Sequence, residues 1–247
     1  MKYIEVRNLK YKNDLNGISF CLNEKWNSFY GEDHNIISIL MGKKEYDGYI
    51  NIDGNFLSKN SISNLSKKMY LVSKKNIFAG NNLYEELLMS GNDKNLIDNY
   101  IINFGLSNYK YMNINNIPFD KKIVVSILFG VLKKIKFIFL DNVLCFLSSS
   151  DRDSIYSFLI KNNIIVLNFT KNPEELIYSS KVIKIPSFIM CDTKDINDIK
   201  IIDLCERLID YGILDEKYMQ IEHFINQIDL TLDPPAEEPL RQYYFIA

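Results

Sequence analysis

The sequence predicts an α/β chain with a parallel core sheet, a segment rich in short strands and a helical lobe. Three observations carry this. Short strand-like runs dominate to about residue 30 and recur at 49–53 and 69–73. From about 82 to 116 the apolar residues fall at helical spacing. Beyond 120, helices and strands alternate, the pattern of a sheet covered on both faces. Apolar residues make up 47% of the 247, enough for one normal core with a smaller lobe.

The elements follow in order. Ile4–Leu9 and Gly17–Phe20 are short strand-like runs. Strand Trp26–Tyr30 runs into Gly31-Glu32-Asp33-His34-Asn35, and a helix follows over Ile36–Met41. Strand-like runs recur at 49–53 and 69–73. Asn82 supplies a capping amide ahead of first-turn acids Glu85 and Glu86. Asn95–Phe104 forms the next helix, closed by Gly105. A helix over 120–133 feeds the apolar strand 136–141, and a helix over about 151–161 feeds strand 164–168. Glu174-Glu175-Leu176 starts a short helix, and 181–192 reads as a closing hairpin. Residues 195–229 read as a helical appendix: Ile199–Tyr211 is ended by Gly212, and 218–228 is amphipathic. The prolines Pro234, Pro235 and Pro239 exclude a continued helix, so 230–247 is expected to be a poorly packed tail.

Charge and cysteine usage narrow the function. The net charge is −2 without a basic cluster, which gives no support for nucleic-acid binding. The longest nearly uncharged apolar run, Ile123–Leu132, is far short of the ~20 residues a membrane span needs. Met1-Lys2-Tyr3-Ile4-Glu5 enters a strand directly, so no leader peptide is expected. Cys21, Cys145, Cys191 and Cys205 form no CxxC pair and read as buried free thiols of a reducing compartment. His34 and His223 are too far apart in sequence to indicate a zinc site.

Taken in order, these pieces resemble the ATP-binding subunit of an ABC transporter over roughly residues 2–229. The opening Ile4-Glu5-Val6-Arg7-Asn8-Leu9 with Gly17-Ile18-Ser19-Phe20 resembles that family's first two strands. Asp47-Gly48-Tyr49-Ile50-Asn51-Ile52-Asp53-Gly54 resembles its SGxIxIDG hairpin, and Lys67–Val72 resembles the strand before the Q-loop. Ile97–Tyr109 resembles a helix of the helical subdomain. Leu147–Arg152 resembles the LDxxxR turn, and Ile164–Leu176 resembles the strand that carries the H-loop. The resemblance implies a P-loop NTPase-like ABC nucleotide-binding domain over 1–194. It would have an antiparallel β subdomain and a helical lobe at about 74–120. The appendix 195–229 resembles the dimerising C-terminal helices of energy-coupling-factor ATPases.

The chemical positions depart from the family's pattern. Its phosphate loop is GxxxxGK[ST], whose glycines let backbone N–H groups wrap phosphates. Here the segment is about four residues short: Gly31, Glu32, Asp33, His34 and Asn35 stand where the loop should be, and its second Gly, Lys and Ser/Thr are missing. Asp33 takes the place of the Lys. Two acids beside a phosphate repel it: like charges ~4 Å apart cost roughly 4 kcal/mol at an effective dielectric near 20. Glu32 and Asp33 also read as ordinary caps at a helix N-terminus. The LSGGQ signature falls on Ile117-Pro118-Phe119-Asp120-Lys121, with both glycines gone. The Q-loop Gln falls on or beside Lys74, the D-loop Asp on Ser148 and the H-loop His on Lys171. The adenine-stacking aromatic falls near Asn13, with Tyr11 close by.

Strand 136–141 ends in Asp141, the position that holds Mg²⁺ in such proteins; a carboxylate that polarises the attacking water often follows it. Here Asn142 follows, and an amide cannot accept a proton. A lone Asp at a strand end also reads as a plain turn residue, so metal at Asp141 is doubtful. The expectation is a subunit that hydrolyses no ATP, with ATP and Mg²⁺ as cofactors only if the site works despite these losses. Its expected partners are another ABC ATPase subunit and a transmembrane subunit, on the inner face of the cell membrane. An active ATPase and a soluble scaffold reusing the fold are the alternatives. The family's membrane-subunit groove would lie at about 74–116, where Phe78 and Tyr84 are candidate docking residues; both also suit the lobe's own core.

Overall fold

The computed structural model describes residues 2–12, 14–31, 34–185 and 190–192. Strands β1 (Ile4–Tyr11) and β2 (Leu15–Leu22) form an antiparallel pair, and β3 (Trp26–Tyr30) follows. Helix α1 (His34–Leu40) leads to β4 (Asp47–Ile52) and the short β5 (Asn55–Phe56). A single helical turn α2 (Ile62–Ser66), which the apolar pattern does not announce, precedes β6 (Met69–Val72). The lobe holds α3 (Leu83–Leu88) and α4 (Lys94–Asn103) with two 3-10 turns. Then come α5 (Phe119–Leu132), β7 (Phe137–Asp141), α6 (Ser149–Lys161) and β8 (Ile165–Thr170). A 3-10 helix over Pro173–Tyr178 leads to the closing hairpin of β9 (Lys181–Lys184) and β10 (Met190–Asp192). The expected appendix and tail, 195–229 and 230–247, lie outside the described residues.

Two sheets result. The antiparallel sheet runs β2-β1-β4-β5, and the core sheet runs β10-β9-β3-β8-β7-β6. From β9 to β6 all pairings are parallel, so this part needs helices on its faces. The strands answer with apolar residues on both sides. On β7, Phe137 and Phe139 pack toward α1 and the antiparallel sheet, while Ile138 and Leu140 pack toward α5, α6 and the lobe. All four are fully buried, and each contributes about 1.5–3 kcal/mol by leaving water. Phe29 and Phe169 stack with ring centroids 4.5 Å apart, tying β3 to β8.

The caps expected from sequence are present. Asn82 accepts from the Glu85 N–H at 2.9 Å, and Gly105 has a φ of 63°, closing α4 in the left-handed region. Asp93, not singled out by the pattern, caps α4 by accepting from the Asn95 N–H. One expectation fails: Cys145 is exposed and Cys21 half-buried, because neither faces the sheet interior. Both are free thiols.

At the amino end of β6 and β7, Asp53 joins the two sheets. Its carboxylate, 11% exposed, pairs with Lys68 at 2.9 Å and also with Lys136. Burial works against this charge, but hydrogen bonds from Lys136 and Lys68 outweigh it and hold the carboxyl below its ordinary range.

Candidate functional site

In a parallel sheet the strands' carboxyl ends all open at one edge, where ligands are usually met. Here β3, β8, β7 and the residues after β6 end around a cleft of about 460 Å³. Gly31, Asp141, Asn142 and Lys171 line it, together with Lys74. The fold thus brings together five of the positions that sequence reasoning singled out. Asp33 lies outside the described residues.

Each element delivers its residue for a local reason. Gly31 follows β3 with a φ of 124°, and its N–H donates to the Thr170 carbonyl at 3.0 Å. A Cβ at Gly31 would lie 2.3 Å from the Ile185 carbonyl oxygen. The glycine is therefore required by the close approach of the chain after β9. The atom filling its open side is an acceptor, not the N–H donor that a phosphate needs. Asn35, near the start of the seven-residue α1, donates to Asp14 at 3.1 Å and accepts from Lys44.

Asn142 turns the chain out of β7. Its φ of 50° is left-handed, and its N–H donates to the Phe169 carbonyl at 2.7 Å. Asparagine tolerates that conformation better than most residues. The Cys145 thiol donates to the Asn142 carbonyl at 3.5 Å. Asp141, at the end of β7, and Lys171, just after β8, both line the same opening. Ser148 is the N-cap of α6 and accepts from the Asp151 N–H at 3.1 Å.

The residues expected at the signature, Pro118, Phe119 and Asp120, lie at the start of α5. Pro118 is its N-cap residue, and Phe119, 39% exposed, meets Phe146 edge to face at 5.0 Å. Lys74 sits over the other ring contact, 4.7 Å from the Phe146 centroid. Asp120 pairs with Lys121 at 3.3 Å, and Lys121 also reaches Asp151 at 3.2 Å. Burial works to lower the Lys121 pKa, but the hydrogen bond and charge of Asp151, helped by Asp120, raise it overall. These residues are engaged with one another across α5 and α6.

Between β6 and the lobe lies a second cleft of about 340 Å³, lined by Lys74, Ile77, Phe78 and Phe119 among others. Ile77 is 95% exposed. Phe78 and Tyr84 are both half-buried against the lobe core, and Lys110 lies 4.2 Å above the Tyr84 ring.

Sequence reasoning missed two features. Lys43, after α1, and Lys75 join Lys74 and Lys171 around the first cleft, so its described lining holds four lysines and one aspartate. They come from three separate segments, which no local motif could reveal. The second feature is a buried polar layer under the sheet: Ser28, Asn168, Glu175 and Ser179. The Asn168 amide donates to Glu175 Oε2 at 3.2 Å, and the Ser28 and Ser179 hydroxyls bond each other. Burial raises the Glu175 carboxyl above its ordinary value, against the opposing hydrogen bonds of Asn168 and Thr170. Among the described residues there is no cluster of His, Cys, Asp and Glu fit to hold a metal, and no helix is long and apolar enough to cross a membrane.

No family profile matches the chain, and no curated protein matches it in sequence. Solved structures do match in shape. CbiO1 from Clostridium perfringens, part of the ABC transporter complex CbiONQ, superposes with a TM-score of 0.68 at 17% identity, covering 85% of this chain and 97% of that one. An inward-facing putative metal-chelate type ABC transporter gives 0.61 at 16% identity, covering 78% and 84%. A bacterial Atm1-family ABC exporter with ATP bound gives 0.63 at 13%, covering 74% of this chain and 37% of the longer exporter chain. The antiparallel sheet, the parallel core and the helical lobe are thus those of the ABC nucleotide-binding domain, and that is the fold of this chain.

Proposed function

We propose that this chain is an ABC-transporter ATP-binding-type subunit that does not hydrolyse ATP and serves as a structural or regulatory partner. The observation that carries the reading is Asn142. It occupies the place after Asp141 where the resemblance puts a water-polarising carboxylate, and it is one of the residues lining the cleft. An amide cannot take the proton of an attacking water. Lys171, at the position of the family's histidine, brings an ammonium that offers donors only. The Ile185 carbonyl against Gly31 agrees with this reading, because it sets an acceptor where a phosphate cradle needs donors.

CbiO1 belongs to a transporter complex. By analogy, the partners of this chain are a second, active ATPase subunit and a transmembrane subunit, and its place is the inner face of the membrane. Turnover in the complex then comes from the partner. Phosphate release from the assembled complex tests this: Lys171→Ala and Asn142→Ala leave the rate unchanged. A several-fold drop with either one would sink the proposal. In the same reading the second cleft receives the membrane subunit. Phe78→Ala with Tyr84→Ala releases that subunit while the chain stays folded. Unfolding of the double variant would mark both as core, and retention of the partner would move the docking surface elsewhere.

The four lysines around the cleft favour a second reading, in which an anion such as a nucleotide phosphate is held without being hydrolysed. Stabilisation by Mg-ATP without phosphate release separates it from the first.

A further inference from the structure

Glu175 sits on the 173–178 turn, which joins β8 to β9, and it is fully buried. Asn168, fully buried on β8, meets it there. The Asn168 Nδ2 donates to Glu175 Oε2 at 3.2 Å and to the Ser28 hydroxyl at 3.5 Å. The other oxygen of each group, Asn168 Oδ1 and Glu175 Oε1, is buried without a hydrogen-bond partner. With the carboxyl ionised, both are acceptors only, and unpaired buried acceptors are destabilising. A protonated carboxyl has one O–H to give. With the proton on Oε1, the carboxyl donates to Asn168 Oδ1 while Oε2 keeps the Nδ2 bond. Amide and carboxylic acid are both planar, so they close a ring of two hydrogen bonds that satisfies both unpaired atoms at once.

The charges around the pair come from each neighbouring element. Arg152 on α6 is the cation that favours ionisation, yet its Nη2 turns to Glu174 at 3.3 Å and its Nε is unpaired. On the turn itself, Glu174 and Tyr178 lie near Glu175, and the Tyr178 hydroxyl donates to Asp153 on α6 at 2.6 Å. Cys145, after β7, is close enough for the Glu175 charge to raise its thiol, although burial is the larger cause. The groups that β3 and β8 bring, Ser28, Asn168 and Thr170, carry no charge. Burial is the largest influence on Glu175. It raises the carboxyl above its ordinary 4.5, against the hydrogen bonds of Asn168 and Thr170 and the charge of Arg152.

We propose that Glu175 is the neutral acid in the folded chain, joined to Asn168 by two hydrogen bonds, and that loss of its proton to solvent loosens the 173–178 turn from β8. The latch is closed at low pH and opens as pH rises through the folded-state value. At its far end the turn is held to β3 separately, by the Ser28–Ser179 hydroxyl pair and by the Ser180 N–H donating to the Trp26 carbonyl at 3.1 Å. Its near end, Pro173, lies two residues after Lys171 of the cleft. The latch therefore makes the wall of the cleft at Lys171 sensitive to pH.

Two measurements on the full chain test this. The first is the infrared difference spectrum between the parent and Glu175→Gln at pH about 6, where ordinary glutamates are ionised. The proposal expects the carbonyl stretch of an un-ionised carboxylic acid in the parent and its loss in the variant. The second is amide hydrogen exchange over residues 173–180, corrected for the intrinsic rate at each pH. Protection in the parent falls several-fold between pH about 6 and about 8, across the range in which a raised carboxyl ionises. Glu175→Gln shows no such fall, because its amide donates to Asn168 Oδ1 at every pH. If Glu175→Gln does not fold, carbon-13 NMR of glutamate-labelled parent decides instead: one carboxyl must titrate above all the other glutamates, and the loss of protection must follow it. Absence of the acid carbonyl at pH about 6 would overturn the proposal, since Glu175 is then a carboxylate. An equal fall in protection in both proteins, or protection in the parent that does not change with pH, would overturn it as well.

Discussion

The two ends of the parallel sheet are built differently. At the amino end, Asp53 clamps Lys68 and Lys136, and this three-charge cluster ties the antiparallel sheet to the core. At the carboxyl end, Gly31, Asp141, Asn142 and Lys171 surround an open cleft and lie outside the apolar packing that holds the strands. The contrast separates what the fold needs from what chemistry needs. The strands are held by alternating Phe137, Ile138, Phe139 and Leu140, which do not depend on the residue that follows them. The residue at position 142 can therefore vary while the chain keeps its shape.

The first way to break this comparison is to exchange the ends in a stability measurement. Phe139→Ala, in the fully buried strand, is expected to cost about 3–5 kcal/mol in denaturant unfolding. Lys171→Ala, exposed at the cleft, is expected to change stability by no more than about 0.5 kcal/mol. Comparable losses for the two would mean that the cleft is part of the packing.

A smaller effect sharpens the reading of Ser148. It stands at a position that the resemblance gives to a catalytic-site aspartate, yet its hydroxyl caps α6. Ser148→Ala should lower stability by about 1 kcal/mol, the usual loss for a removed cap. Ser148→Asp should restore it, because aspartate caps equally well. Failure of that rescue would argue against the capping role.

The amino-end clamp is worth about as much. Asp53→Asn keeps a residue that tolerates the φ of 55° and removes only the charge. The lysines are 44% and 34% exposed, so solvent screening limits the loss to about 1 kcal/mol. Since the Asp53 carboxyl is held below its ordinary 3.8, that contribution is present above 3.8 and is lost as pH falls through the folded-state value. The difference between parent and variant should therefore vanish in strong acid.

Glu175 has the opposite sign. Its pKa is raised above 4.5, so its neutral form favours folding below 4.5 and that advantage is lost as pH rises through the folded-state value. Glu175→Gln stays neutral throughout. It should match the parent near pH 4 and gain on it toward pH 7 in thermal unfolding. A variant less stable than the parent at both values would show that the charged form is the one the fold holds.

These residues also show where sequence reasoning stops. Asn82 and Gly105 were legible because caps act on their own helix, within three or four residues. The strand ending at Asp141 was legible from its unbroken apolar run. Glu174 and Glu175 look alike in sequence, yet the Glu174 side chain is 72% exposed and pairs with Arg152, while Glu175 is fully buried. Only the packing of the 173–178 turn on β3 and β8 decides between them. Likewise the cleft's lysines converge from Lys43, Lys74, Lys75 and Lys171 through tertiary structure alone. The loop's own acids, Glu32 and Asp33, pointed the other way.

The most direct test of the central claim is thermal unfolding with and without millimolar Mg-ATP, in the parent chain and in Asp141→Ala. A bound ligand raises stability by RT ln(1 + [L]/Kd), about 2.7 kcal/mol at 100 times Kd. A cleft whose glycine faces a carbonyl and in which an amide follows Asp141 should give no shift in either protein. A reproducible stabilisation of the parent that disappears in Asp141→Ala would contradict the account.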